Sequence, residues 1–140
     1  MPQNPARYLP SAAYRKAGIV IANVYLDGDR AGTGANYAAF WTAPYKCIVL
    51  GVNFIWGTAS AAGTITIERL QGTEATSGGD ALLAAVIDTT TAANTVNAGV
   101  LITANAQYLE LAAGDRLGLV DNTPGTCACL AVTVTLAPLP

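Results

Sequence analysis

The stretch Tyr45-Lys46-Cys47-Ile48-Val49-Leu50-Gly51-Val52-Asn53-Phe54-Ile55-Trp56 decides the fold of this chain. In an extended strand side chains alternate between two faces, so Lys46, Ile48, Leu50, Val52, Phe54 and Trp56 share one of them. All but Lys46 are apolar, and the spacing predicts that this face points into a core with Cys47 on the other side.

Similar patterns lie on both flanks. Residues 18–27 (GIVIANVYLD) are rich in β-branched side chains and end at the turn signal Asp27-Gly28-Asp29. Residues 36–43 (NYAAFWTA) form a short run before Pro44. Thr64-Ile65-Thr66-Ile67 alternates strictly after Gly63. In residues 81–87 (ALLAAVI) Ala and Leu favour helix while the length favours strand, which is the reading taken, and 96–103 (VNAGVLIT) is a further strand candidate. Leu109 and Leu111 alternate with Tyr108 and Glu110 before the turn Ala113-Gly114-Asp115. Leu117 and Leu119 form the next strand, closed by Asp121-Asn122-Thr123-Pro124-Gly125. The final strand, 127–137, places Leu130, Val132, Val134 and Leu136 opposite Cys129, Ala131, Thr133 and Thr135, with Cys127 on the same side as Cys129.

About eight strands at this spacing predict an all-β protein, an antiparallel two-sheet β-sandwich of the jelly-roll type. The Ala/Thr/Gly-rich stretches 57–64 and 89–99 read as long loops. Residues 47–67 carry no charge and match the roughly 20 residues of a membrane helix. The small-residue turn Gly57–Gly63 divides them into two strands instead.

Composition narrows the function. The chain has 140 residues, a length that suits one domain, and only 11% are charged against about 25% in an ordinary soluble protein. There is no histidine, which removes the commonest general base and the usual zinc ligand. A pI near 4.8 argues against direct nucleic-acid binding. The start, Met1-Pro2-Gln3-Asn4-Pro5, lacks a basic n-region before an apolar stretch, so synthesis in the cytoplasm is expected.

Residues 1–16 stand apart. They hold Pro2, Pro5 and Pro10 with Arg7, Arg15 and Lys16 and no acid, whereas residues 17–140 carry four basic and nine acidic side chains. Proline at that density favours extended chain. The reading is a basic arm (1–16), a sandwich (17–137) and a short tail (138–140). Tyr8, Leu9 and Tyr14 are apolar groups spaced to dock the arm on a partner, and Leu139 in the tail is a lesser candidate.

Catalytic chemistry finds little support. Cys47, Cys127 and Cys129 lack a fourth ligand and a CxxC spacing, so they read as small apolar side chains in a reducing compartment, not as a metal site. Asp27, Asp29 and Asp115 could serve glycoside hydrolysis as paired acids, but each sits in a turn, where aspartate bonds local backbone. No GxSxG is present, and Gly32-Thr33-Gly34 and Gly78-Gly79 precede neither a lysine nor a helix start. No enzyme activity and no cofactor are expected.

The exposed strand positions carry Ala, Thr, Cys, Tyr or Asn where monomers usually place Lys or Glu, which suggests a surface covered by partners. With its basic arm, GTITIERLQGT (63–73), LELAAGDRLGLVDN (109–122) and LAVTVTLAP (130–138), the chain resembles the jelly-roll decoration, or cement, proteins of tailed-bacteriophage capsids, especially of short-tailed phages. The resemblance implies a structural virion protein on the outer capsid surface. There it would clamp neighbouring major capsid protein subunits against internal DNA pressure, as a homodimer or trimer, with no membrane contact. A carbohydrate- or receptor-binding virion module is the alternative, with Asn36, Tyr37, Trp41 and Trp56 as candidate aromatic and polar contacts.

Overall fold

The computed structural model describes residues 18–26, 39–122 and 127–140. Ten strands occur among them: β1 (Val20–Leu26), β2 (Ala39–Thr42), β3 (Cys47–Ile55), β4 (Thr64–Leu70), β5 (Asp80–Ala81), β6 (Ile87–Asp88), β7 (Asn97–Ala98), β8 (Glu110–Leu111), β9 (Arg116–Asn122) and β10 (Leu130–Pro138). They form two antiparallel sheets. The first runs β1-β10-β3, with β7 and β8 both on the far side of β3; the second runs β2-β9-β4, with β5 and β6 both on the far side of β4. The first strand thus pairs with the last, the second with the penultimate, and so on inward. That is the winding of a jelly roll, and the ten strands fill its eight positions because two positions are interrupted.

The stretch that opened the sequence reading contains a correction. Thr135 faces Gly51 but Leu136 faces Val49, so Leu50 has no partner on β10. This is a β-bulge, and it reverses the alternation. C-terminal to it Val52, Phe54 and Trp56 point inward as expected. N-terminal to it the buried residues are Cys47 and Val49, while Ile48 is half-buried and Leu50 is 50% exposed. The prediction for Ile48, Leu50 and Cys47 was therefore inverted by one extra residue.

The two cysteines near the last strand also differ from the reading. Strand β10 starts only at Leu130, and Cys129 has φ of 56°, a left-handed conformation that breaks the alternation. Cys127 is consequently buried in the core and Cys129 exposed. Leu130, Val132, Val134 and Leu136 do line the core.

Residues 81–87 and 96–103 are extended but largely leave their sheets. Leu82 N donates to Ile67 O at 3.0 Å, continuing the pairing with β4, and then the chain crosses over. Ala84 N donates to Val100 O, Ile102 N donates to Leu82 O, and Leu83 bridges Leu101. Leu82 and Leu83 are adjacent and both buried, in a stretch that has left regular sheet pairing. Gly99 permits this approach, since a Cβ there would lie 2.6 Å from Leu83 Cδ2. The crossing stitches the two sheets along one side. Tyr108 and Leu109 belong to a short 3-10 helix, Ala106–Leu109, rather than to a strand.

Inside, Phe54, Trp56, Val132 and Val134 of the first sheet meet Ile65, Ile67, Leu117 and Leu119 of the second. Trp56 is 1% exposed, and its indole Nε1 donates to Thr91 O at 3.1 Å, satisfying the polar end of a buried ring. Segment 47–67 is two strands and a connecting turn, and no helix among the described residues is long and apolar enough to cross a membrane.

Candidate interaction surface

The two sheets present different outer faces. On the second sheet, Thr66, Glu68, Leu70 and Val120 point away from the core yet are buried. Residues 71–79 fold over part of this face. Glu68 Oε2 accepts from Ser77 N (2.9 Å) and Gly79 N (3.4 Å), and Arg116 Nη2 donates to Gly72 O and Glu74 O. Burial pushes the Glu68 carboxyl above the usual range, with the two backbone donors opposing and Asp80 and Glu74 adding to the rise. At the neighbouring edge Arg69 bonds Asp80 Oδ2 at 2.6 Å, donates to Gln107 O and Glu110 O, and lies 5.3 Å over the Tyr108 ring. This side of the sandwich is occupied by its own chain.

Among the described residues, no segment folds over the outer face of the first sheet. Inward-facing Val20, Ala22, Val24 and Leu26 of β1 leave Ile21, Asn23 and Tyr25 outside, with Ile19 just before the strand. On β10 the outer row is Ala131, Thr133, Thr135 and Ala137; on β3 it is Ile48, Leu50, Asn53 and Ile55. The register aligns Ile21 with Thr135 and Gly51, Asn23 with Thr133, Asn53 and Ala98, and Tyr25 with Ala131 and Ile55. None of these side chains is charged. Ile21 (50%), Tyr25 (61%) and Val96 (63%) are large and exposed. A shallow groove of about 230 Å³ crosses the face, lined by Asn53, Phe54, Ile55, Val96, Ala131 and Thr133. Among the described residues, ionised groups border this face only at one end, where Lys46 pairs with Glu110 at 3.5 Å, both about half exposed. Exposed apolar side chains gathered on one uncharged face are a common sign of a contact surface.

The residues singled out from sequence fall variously. Arg7, Tyr8, Leu9, Tyr14, Arg15 and Lys16 lie outside the described residues, as do Asp27, Asp29, Asn36 and Tyr37. Leu139 is half-buried, and its N donates to Lys46 O at 2.9 Å, so the tail continues alongside β3 of its own sheet. Asp115 is buried in its turn, its Oδ2 accepting from Ala112 N at 2.9 Å, as expected of a turn aspartate. Trp56 belongs to the core and Trp41 packs half-buried against it. Cys47 is fully buried, and burial, aided by the charge of Asp115, pushes its thiol up to about 11. Among the described residues no group of three or more Cys, Asp or Glu is placed to hold a metal ion.

The open face itself was missed from sequence as a set of residues, although two signals were present. Strand 18–26 lacks charge on both of its alternating faces, and Gly51 inside a strand is a common mark of a bulge.

No protein-family model matches this chain, and no curated protein does. Similarity is found among solved structures. A chain in the capsid of Ralstonia phage GP4 superposes with a TM-score of 0.61 at 10% identity, over 87% of this chain and 85% of that one. A chain of the cyanophage Pam1 capsid asymmetric unit aligns with a TM-score of 0.47 at 18% identity, over 87% and 84% of the two chains. At such identities the likeness to the GP4 chain is one of fold: over 87% of this chain, the jelly roll has the architecture of a chain found in a phage capsid.

Proposed function

We propose that this protein is a structural component of a phage virion, synthesised in the host cytoplasm. It binds the outer surface of the capsid and cements neighbouring major capsid protein subunits against internal pressure. The observation that carries the reading is the open, uncharged face of the first sheet on a fold shared with a capsid chain. Such a face costs solubility unless something covers it, and a capsid lattice supplies cover in many copies. The protein works by contact alone, with no catalysis and no cofactor.

Residues 1–16 act as the main tie. Fully extended, 16 residues reach about 53–58 Å, enough to touch a neighbouring subunit. Ordering them costs backbone entropy, so the arm becomes fixed only against a docking surface. Burial of Tyr8, Leu9 and Tyr14 returns roughly 1.5–3 kcal/mol each. Backbone pairing with a neighbour and the charges of Arg7, Arg15 and Lys16 add to this, and the Leu139 tail is a minor contact. Each tie is weak, and the lattice makes them act together.

The test is sedimentation. Full-length protein mixed with heads of the phage that encodes it is expected to pellet with them at a fixed ratio to the shell subunit. Protein that stays in the supernatant at every ratio refutes the function. A chain lacking residues 1–16 is expected to remain folded and to pellet more weakly; equal pelleting refutes the role of the arm alone.

A further inference from the structure

On the outer face of the second sheet, Glu68 is 7% exposed, and no basic side chain among the described residues pairs with it. Its neighbours across the sheet are Ala81 on β5 and Gly118 on β9, neither of them charged. The nearby guanidinium groups are engaged elsewhere: Arg69 bonds Asp80, and Arg116 bonds the carbonyls of Gly72 and Glu74. The charges that act on Glu68 are those of Asp80 and Glu74, and both repel an ionised carboxyl. Two backbone amides, those of Ser77 and Gly79, donate to one of its oxygens. Buried in this way, the carboxyl favours its neutral form, whereas in water it ionises freely. The segment that buries it is made to move as a piece. Residues 71–79 (QGTEATSGG) carry no large apolar side chain. Two turns close within the segment, Glu74 N donating to Gln71 O and Gly78 N to Ala75 O. Glycines stand near both ends, with Gly72 at φ of 52°. Ser77 is held at φ of 75°, a left-handed conformation unfavourable for a residue with a side chain, so opening relieves it.

We propose that residues 71–79 are a strap, closed over the second sheet while Glu68 is protonated and lifting at its Ser77–Gly79 end when Glu68 ionises. The contacts of Arg116 with Gly72 and Glu74 form the hinge at the other end. Closed, the strap covers Leu70, which is 1% exposed although it points away from the core. The fit there is close, since a Cβ at Gly79 would lie 2.6 Å from Leu70 Cδ2. Lifted, it bares Leu70 and Glu68 to water. Closure favours the protonated carboxyl, so the strap is tightest below about pH 4.5. It loosens as the pH rises from there through the raised value of the closed form. The device belongs to the second sheet and is independent of the proposed function, which uses the first.

The experiment is amide hydrogen exchange of the full chain, read by NMR from about pH 4 to about pH 7. Rates are expressed as protection factors, which removes the intrinsic effect of pH on exchange. The Ser77 and Gly79 amides are expected to be protected about tenfold less, or weaker still, than those of Thr66 and Val120, because the strap lifts without the sheet unfolding. Their protection is expected to fall about threefold or more across the pH range. Glu68→Gln keeps an acceptor for both amides but cannot ionise, and its strap protection is expected to stay level. Glu74→Gln removes an exposed carboxyl of the strap itself and is expected to keep the fall. Strap protection equal to that of Thr66 and Val120 overturns the proposal, since the strap then opens only with the whole fold. A level profile in the parent overturns it, whether or not Glu68→Gln folds. So does a fall that persists in Glu68→Gln, or one that Glu74→Gln alone abolishes.

Discussion

Deleting Leu50 from the middle of a central strand should leave the fold intact. A one-residue deletion in a strand normally exchanges its two faces beyond the cut. Here Leu50 is the extra residue of a bulge, so its removal leaves Gly51 opposite Thr135 and Val49 opposite Leu136 as before. The side chain is 50% exposed, so the lost burial is about half of the roughly 1.5–3 kcal/mol of a fully buried leucine. Against this, one residue fewer is ordered, a gain of about 1–2 kcal/mol. The net change is expected within about 2 kcal/mol of zero, a small part of a domain's typical 5–15 kcal/mol. Deleting Asn53 is the contrast. It turns either Val52, Val49 and Cys47 or Phe54 and Trp56 toward solvent, and removing one large aromatic from a core already costs about 3–5 kcal/mol. Urea unfolding followed by tryptophan fluorescence reads both, because Trp56 is buried in the native state. If the Leu50 deletion is as damaging as the Asn53 deletion, the bulge does not govern which side chains fill the core.

Two further outcomes follow from single side chains. Burial raises the Glu68 carboxyl above its ordinary value of 4.5, so the folded state holds that proton more tightly than the unfolded chain. Its contribution to stability is therefore greatest at low pH and declines as pH rises from about 4.5 through the raised folded value. Glu68→Gln keeps an oxygen for the Ser77 and Gly79 amides and should remove that part of the pH dependence in urea titrations. Glu68→Ala leaves both amides unmet and should cost about 1–3 kcal/mol; equal pH profiles for parent and Glu68→Gln would refute this. A thiol reagent should label Cys129 rapidly in the native protein, and Cys47 and Cys127 only after unfolding, since these two are buried. Rapid native labelling of a second thiol would contradict the burial.

Much of the architecture was legible because alternation is a local property. β4, β9 and the inward row of β10 appear in the sequence as period-two patterns, β1 as a run rich in β-branched residues, and Asp115 as a turn residue. The exceptions share a cause: at each, one residue breaks the period for a reason lying elsewhere in the fold. Leu50 is extra only with respect to the register of β10. Leu82 and Leu83 are both buried only because residues 100–102 lie beside them. Cys127 and Cys129 face opposite ways because φ at Cys129 is positive.

The candidate surface divides along the same line. Sequence alone determined that charge is scarce, that histidine is absent and that the strands wind into a sandwich, because composition and periodicity belong to the chain itself. Only the tertiary structure decided which sheet the described residues leave uncovered. Both sheets have outward side chains, but Glu68 and Arg116 hold residues 71–79 over one of them, while the register of β1, β10 and β3 gathers uncharged side chains onto the other. Exposure is a property of what packs on what, and that is settled by residues far apart in the sequence.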